Sequence, residues 1–281
     1  MGSVAEQQNL AARAPAEGVD FSRFQDGKEL AARYAGADPF PHIVLDGRFP
    51  EPLLHSVLAE IGSTAVSAEG DFYGSFNKRR ISDVLKMAPS TRRLIEDLNS
   101  APFLTFMEEM TGIPGLVPDP YLEGGGIHQI GSGGFLKVHT DFNWHRKLGL
   151  HRRVNLLLYL NEEWQDDWNG HLELWDENVT ACRARIAPIF NRMAAFSTTD
   201  RSYHGHPDPL ACPEGISRNS IAMYYYSATR PEEEVRFGHS EMTNYRARPS
   251  EKLEGAGKHA VHQLQIQHPR LRKLLRMFKK D

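Results

Sequence analysis

The sequence predicts a mainly β domain with flanking helices: a helical first third, then a sandwich, barrel or jelly roll, then a charged tail. Three observations carry that expectation. Before residue 112 the large apolar residues recur at helical spacing. From about Gly124 the texture changes to short runs of β-branched and aromatic residues separated by turn residues. No strand–helix alternation and no internal repeat appear, which excludes a Rossmann-type sheet and a solenoid.

In chain order, residues 1–35 read as a loosely held N-terminal segment, Ala-, Glu- and Gln-rich at its start, with few large apolar groups. A turn-rich stretch at Gly36–Pro41 leads into a short strand at His42–Leu45. Pro50 and Glu51 open a helix whose Leu53, Leu54, Val57, Leu58 and Ile61 share one face. Two more helices are expected at Ser90–Leu98, with Ser90 as N-cap, and at Pro102–Thr111, stopped by Gly112. Strands are expected at Phe135–Thr140, Val154–Leu160, His171–Trp175, Met193–Ser197 and Ser220–Ser227. Gly124–Gly126, Gly131–Gly134, Asp166–Gly170 and Pro207–Gly215 punctuate them. Residues 36–235 thus form a single domain. Residues 236–281 are a charged extension ending in a helix with Leu271, Leu274, Leu275 and Phe278 on one face.

Composition bounds the function. The 281 residues carry a net charge of −3, with 40% hydrophobic and 25% charged residues, an ordinary balance for a globular protein. Nothing in it favours a nucleic-acid partner. No apolar run is long enough for membrane insertion, and the start of the chain lacks a secretory pattern. Cys182 and Cys212 fit no disulfide framework or zinc knuckle, and the expected location is the cytoplasm.

The chemistry is carried by His139, Asp141, His204, Arg218 and Ser220. Residues two apart on a strand share a face, so His139 and Asp141 project together. With a second histidine from another strand they make the 2-His-1-carboxylate set of non-haem iron oxygenases, which fills one face of an octahedron and leaves three positions open. Those positions suit a bidentate oxo-acid and dioxygen. His206 is the rival of His204, because parity cannot separate them. Arg218 and Ser220 share a face at the start of the apolar stretch IAMYYYS, where a guanidinium fork can hold a carboxylate.

The ordered stretches PFPHIVLDGRF, LEGGGIHQIGSGGFLKVHTDFNWH, RRVNLLLYLNEEW, GHLELWD, NRMAAFSTTDRSYHGHPDPLACPEG and SRNSIAMYYYS, from Pro39 to Arg230, resemble the Fe(II)- and 2-oxoglutarate-dependent oxygenases of the prolyl 4-hydroxylase-like superfamily. The resemblance implies a double-stranded β-helix, a jelly-roll or cupin-like barrel, with Fe(II), 2-oxoglutarate and dioxygen as cofactor and cosubstrates. It implies His139, Asp141 and His204 as iron ligands, favouring His204 over His206, and Arg218 as the residue gripping the distal carboxylate of 2-oxoglutarate. The chain departs from the collagen-hydroxylase pattern at Ile130, where that pattern has a tyrosine that helps bind 2-oxoglutarate. Gln129 or His128 is expected to substitute, and Asn155 is a further candidate contact. Asp141 stands where the superfamily's halogenases have a small residue, so hydroxylation is expected. Asn143, Trp144, Lys137 and His128 are the candidate substrate-side residues. Arg146, Lys147, His151, Arg152 and Arg153 read as a solvated basic cluster. The expected substrate is a small molecule such as an amino acid, sugar or natural-product intermediate. The alternatives are a prolyl residue in a peptide or protein, a cupin-like metal enzyme that does not use 2-oxoglutarate, and an inactive binding barrel.

Overall fold

The computed structural model describes residues 18–63, 67–68, 74–234 and 238–251. The expected tail helix lies outside the described residues.

From Gly18 on, the N-terminal segment is better held than its composition implies. Residues Phe21–Phe24 form a 3-10 turn and α1 spans Gly27–Ala35; Phe24 and Tyr34 are buried. Phe24 meets Phe49, Phe103 and Phe106 at ring-centroid distances of 5.3, 5.2 and 5.1 Å. A few well-spaced aromatics therefore anchor a stretch whose average character is polar, because each buries a large apolar area.

β1 (His42–Asp46) and α2 (Glu51–Ser63) follow, then β2 (Ser75–Ile81), α3 (Pro89–Leu98) and α4 (Ala101–Thr111). Ser90 is not the N-cap of α3. That position is Ala88, with no side-chain bond, and Pro89 opens the helix. The cap comes from α2: the Glu60 carboxylate accepts from Ser90 N (2.9 Å), Thr91 N (2.8 Å) and Thr91 Oγ1 (2.8 Å). A carboxylate at a helix N-terminus meets both the orphan N–H groups and the helix dipole. Gly112 ends α4 in the left-handed region, at φ 70°.

The strands are β3 (Gly126–Thr140), β4 (Leu150–Tyr159), β5 (Leu172–Trp175), β6 (Cys182–Ile186), β7 (Arg192–Ser197), β8 (His204–His206), β9 (Ser217–Ser227) and β10 (Asn244–Tyr245). They pair antiparallel in the order β1-β7-β4-β9-β3-β8-β5-β6, with β2 and β10 also on β3. This nearly closed barrel is the expected double-stranded β-helix. β3 makes the corner. Its first half pairs with β9, from Ser217↔Gly131 to Ala222↔Gly126, and its second half pairs with β8. The strand runs through Gly131–Gly134, the expected turn, which slips out of register with β2.

The sheet β1-β7-β4-β9 reads as nearly continuous apolar sequence because both of its faces are covered. Val154, Leu156, Leu158, Ile221, Met223 and Tyr225 lie in one core cluster with α2, α3 and α4. Tyr225 also donates from its hydroxyl to Leu98 O at 2.9 Å, tying sheet to helix. Asn155, Leu157, Ser220 and Tyr224 take the other face and line the barrel cavity.

The expected domain end near residue 235 falls short. β10 pairs with the end of β3, Tyr245↔His139 and Asn244↔Thr140, and Thr243 and Tyr245 line the cavity. A Cβ on Gly74 would run into the Tyr245 ring, so the chain before β2 approaches this strand as only glycine can.

Glu60→Ala is expected to lower the unfolding free energy by about 1–2 kcal/mol in urea denaturation, while leaving the barrel's metal affinity unchanged. A loss of metal affinity would contradict the separation of helix layer from cavity.

Candidate metal centre

His139 and His204 are direct cross-strand partners on β3 and β8. Directly opposed residues on antiparallel strands bring their Cβ atoms within about 5.5 Å, and the two imidazole centroids lie 4.4 Å apart. Asp141 follows immediately after β3 ends. Its Oδ1 lies 3.6 Å from His139 Nε2 and its Oδ2 3.4 Å from His204 Nε2. One ligand atom from each residue falls within 4.8 Å of the others.

The protonation pattern fits a cation. His139 Nδ1 is 2.7 Å from Lys137 O and His204 Nδ1 is 2.9 Å from Ser202 O. A carbonyl only accepts, so both Nδ1 atoms carry the proton. Burial first, then His139, pushes the His204 pKa down to about 4. Its Nε2 is therefore a bare lone pair at neutral pH, and the Nδ1 bond of His139 leaves that ring's Nε2 facing Asp141. Two imidazole Nε2 atoms and a carboxylate converge there, the donor types that suit a non-haem iron.

Asp141 is gripped from behind. Its Oδ2 accepts from Asn155 Nδ2 at 2.7 Å, and Arg152 Nη2 approaches it at 3.1 Å outside hydrogen-bond alignment. Burial alone would raise the Asp141 pKa, but Arg152 and the two histidines outweigh it and hold the carboxyl well below the usual range. Arg152 is 1% exposed. Its guanidinium lies 3.5 Å from the Tyr224 ring centroid and 4.6 Å from that of Phe142, and its Nε donates to Asn155 Oδ1 at 2.8 Å. The solvated reading of the basic cluster thus fails for Arg152 and for Arg153, which bonds Ser227 and Thr229. It holds for exposed Arg146 and Lys147. A register shift of β9 against β4 between Tyr225 and Tyr226 sets Tyr226 opposite Arg152, so simple alternation does not predict which arginine turns inward.

Arg218 and Ser220 line the same cavity of about 440 Å³ as the three ligand candidates. Arg218 is 4% exposed; its Nε donates to Gly170 O at 2.7 Å and its Nη2 to Tyr159 Oη at 3.2 Å. Gly170 has φ +78°, and a Cβ there would press on the Arg218 side chain at 3.1 Å. Among the described residues no carboxylate pairs with this guanidinium, and burial pushes its pKa down. A buried cation with only neutral acceptors calls for an anion from outside the chain.

The remaining sequence candidates divide. His128 faces the cavity, with Nε2 2.9 Å from Gly124 O. Asn155 lines it too, but its side chain is spent on Asp141 and Arg152. Gln129 faces the other side of β3 and bonds Asn219 Oδ1 at 3.1 Å, as alternation with His128 requires. Asn143 is buried, clamping the chain after β9: its Nδ2 donates to Asp200 Oδ1 and Gly238 O, and its Oδ1 accepts from Ser240 N. Trp144 stacks on His239 at 3.9 Å. Lys137 pairs with Glu251 at 3.8 Å. Asn143, Trp144 and Lys137 do not line the cavity. His206 does, outside the three-residue cluster. Tyr159, Gly170, Tyr224 and Tyr245 also shape the site, and only the fold reveals them.

Residues 125–226 match the model of the 2OG-Fe(II) oxygenase superfamily. The chain is 26% identical over 223 residues to prolyl 3-hydroxylase OGFOD1 from Mus musculus; the match covers 73% of this chain and 38% of that protein's length. Three solved structures share the fold. A prolyl 4-hydroxylase from Phytophthora capsici has TM-score 0.55 and 18% identity, covering 91% of this chain and 81% of its own. A prolyl hydroxylase from Trichoplax adhaerens, in complex with a hypoxia-inducible-factor peptide, has TM-score 0.52 and 17% identity, with coverages of 83% and 96%. HygX from Streptomyces hygroscopicus, holding nickel, 2-oxoglutarate and hygromycin B, has TM-score 0.51 and 15% identity, with coverages of 79% and 94%.

His139→Ala and His204→Ala are expected to abolish Co(II) binding followed by its visible spectrum, whereas His206→Ala retains it. Asn155→Ala, which frees one side of Asp141, is expected to weaken Co(II) binding about 10–100-fold. Equal loss in the His206 and His204 variants would reassign the ligand set.

Proposed function

We propose that the protein is an Fe(II)- and 2-oxoglutarate-dependent dioxygenase that hydroxylates an unactivated carbon of a small molecule, with His139, Asp141 and His204 as the metal ligands. The observation that carries this reading is Arg218: a buried guanidinium without a carboxylate partner among the described residues, in the same cavity as a His-Asp-His cluster. A hydrolytic or isomerising metal enzyme has no use for it there.

When bound, iron supplies the coupling of dioxygen reduction to oxidative decarboxylation of 2-oxoglutarate, yielding succinate, carbon dioxide and the oxidising power for hydroxylation. The chain does the rest. Arg218 neutralises the distal carboxylate of the cosubstrate, and Ser220 offers a hydroxyl on the same strand face. Gly170 O and Tyr159 Oη fix the guanidinium in advance, so little orientational freedom is lost when the acid arrives. Asn155 and Arg152 keep Asp141 ionised and aimed at the metal position. Leu157, Leu172 and Phe196 make one side of the cavity apolar and limit water there.

The cavity volume lies in the range of small-ligand sites, which supports the small-molecule substrate. A prolyl residue of a protein is the second reading, favoured by the likeness to prolyl 3-hydroxylase OGFOD1. Cys182 and Cys212, both free thiols, support a reducing compartment and hence the cytoplasm.

Anaerobic titration of the Fe(II) protein with 2-oxoglutarate is expected to produce the weak visible charge-transfer band of the chelate. Arg218→Ala should need roughly 100-fold more 2-oxoglutarate for the same band. Succinate release is then compared between a panel of amino acids, sugars and natural products and a panel of proline-containing peptides. Stimulation by the peptides alone would select the second reading. Absence of the band in iron-loaded protein would overturn the oxygenase assignment.

A further inference from the structure

We propose that His206 is a second hydrogen-bond donor to the distal carboxylate of 2-oxoglutarate, acting beside Arg218 and making the site prefer a dicarboxylic over a monocarboxylic 2-oxo acid. This positioning role rests on the function proposed above.

His206 is 3% exposed, lines the cavity, and has no hydrogen-bond partner among the described residues on either ring nitrogen. A neutral imidazole carries one N–H and one lone pair, and burying both unsatisfied is costly unless a ligand meets them. The other histidines lining the cavity are committed. His128 bonds Gly124 O, His139 bonds Lys137 O, and His204 bonds Ser202 O. An inward strand position beside Leu136 and Leu172 would be filled more cheaply by valine or leucine, so packing does not account for the imidazole.

The placement matches a five-carbon diacid. His206 stands two strand residues beyond His204, roughly 6–7 Å along β8, and so away from the metal position. Its register partner is Leu136 rather than Lys137, because the ladder shifts between His204 and His206, and it falls outside the ligand cluster. Arg218 and Lys78 line the same cavity. His206 thus shares the cavity with the three ligand candidates and with Arg218, whose anionic partner it would help to hold.

The experiment compares two cosubstrates on the anaerobic Fe(II) protein: 2-oxoglutarate, and 2-oxovalerate, a five-carbon 2-oxo acid lacking the distal carboxylate. Dissociation constants are read from the charge-transfer band, independently of turnover, for wild type, His206→Val, His206→Asn and His206→Gln. The Val variant is expected to bind 2-oxoglutarate roughly 10–100-fold more weakly and 2-oxovalerate as before. Asn or Gln, which keeps an N–H donor, should recover part of the loss. Equal weakening for both acids, no weakening for either, or loss of the band altogether in His206→Val with Asn and Gln alike overturns the proposal. A wild type that shows no band with 2-oxoglutarate instead overturns the function on which it rests.

Discussion

The opposition of His139 and His204 across one antiparallel ladder is the constraint around which the barrel is organised. It brings two imidazoles from distant parts of the chain into contact without any loop having to find the geometry. Asp141 needs only to be the next inward residue after the strand ends. The backbone carbonyls of Lys137 and Ser202, each two residues before its histidine, then orient the rings through Nδ1. The two imidazoles are thus oriented by main chain, while the Asp141 carboxylate is held by the Asn155 and Arg152 side chains.

Around that ladder the sheet separates two jobs by parity. Odd and even residues of VNLLLY and IAMYYYS serve different masters: one set locks the sheet onto the helices, the other lines the cavity. A cavity-facing residue such as Leu157 can therefore change to suit a ligand without touching the layer that holds the domain together. The helix layer has its own fastening in the Glu60 carboxylate across the start of α3 and the Tyr225 hydroxyl on Leu98.

Much of this was legible in the residues. Helical spacing located α2, α3 and α4, and the change of texture at Gly124 marked the entry to the barrel. The short-range pattern His-x-Asp and the Arg-x-Ser pair brought together residues that all reach the same cavity. Legibility ended wherever a side chain's direction depended on irregular backbone. The register shift near Tyr226 accompanies the burial of Arg152, an arginine that composition assigned to solvent. Strand parity separates Gln129 from His128, which residue chemistry alone could not rank. Asn143 looked like a loop residue near substrate because its tertiary partners, Ser240 and Gly238, are nearly a hundred positions away. The N-terminal helix was hidden for another reason: two buried aromatics outweigh a polar average.

The late strand β10 gives the molecule a temporal order. A ribosome delivers His139, Asp141 and His204, then Arg218 and Ser220, and only afterwards Thr243 and Tyr245, whose strand pairs against the very edge that carries His139. A nascent chain exposes its ligand-bearing ladder before the wall beside it exists. The last wall of the cavity is therefore the last of its described parts to be made.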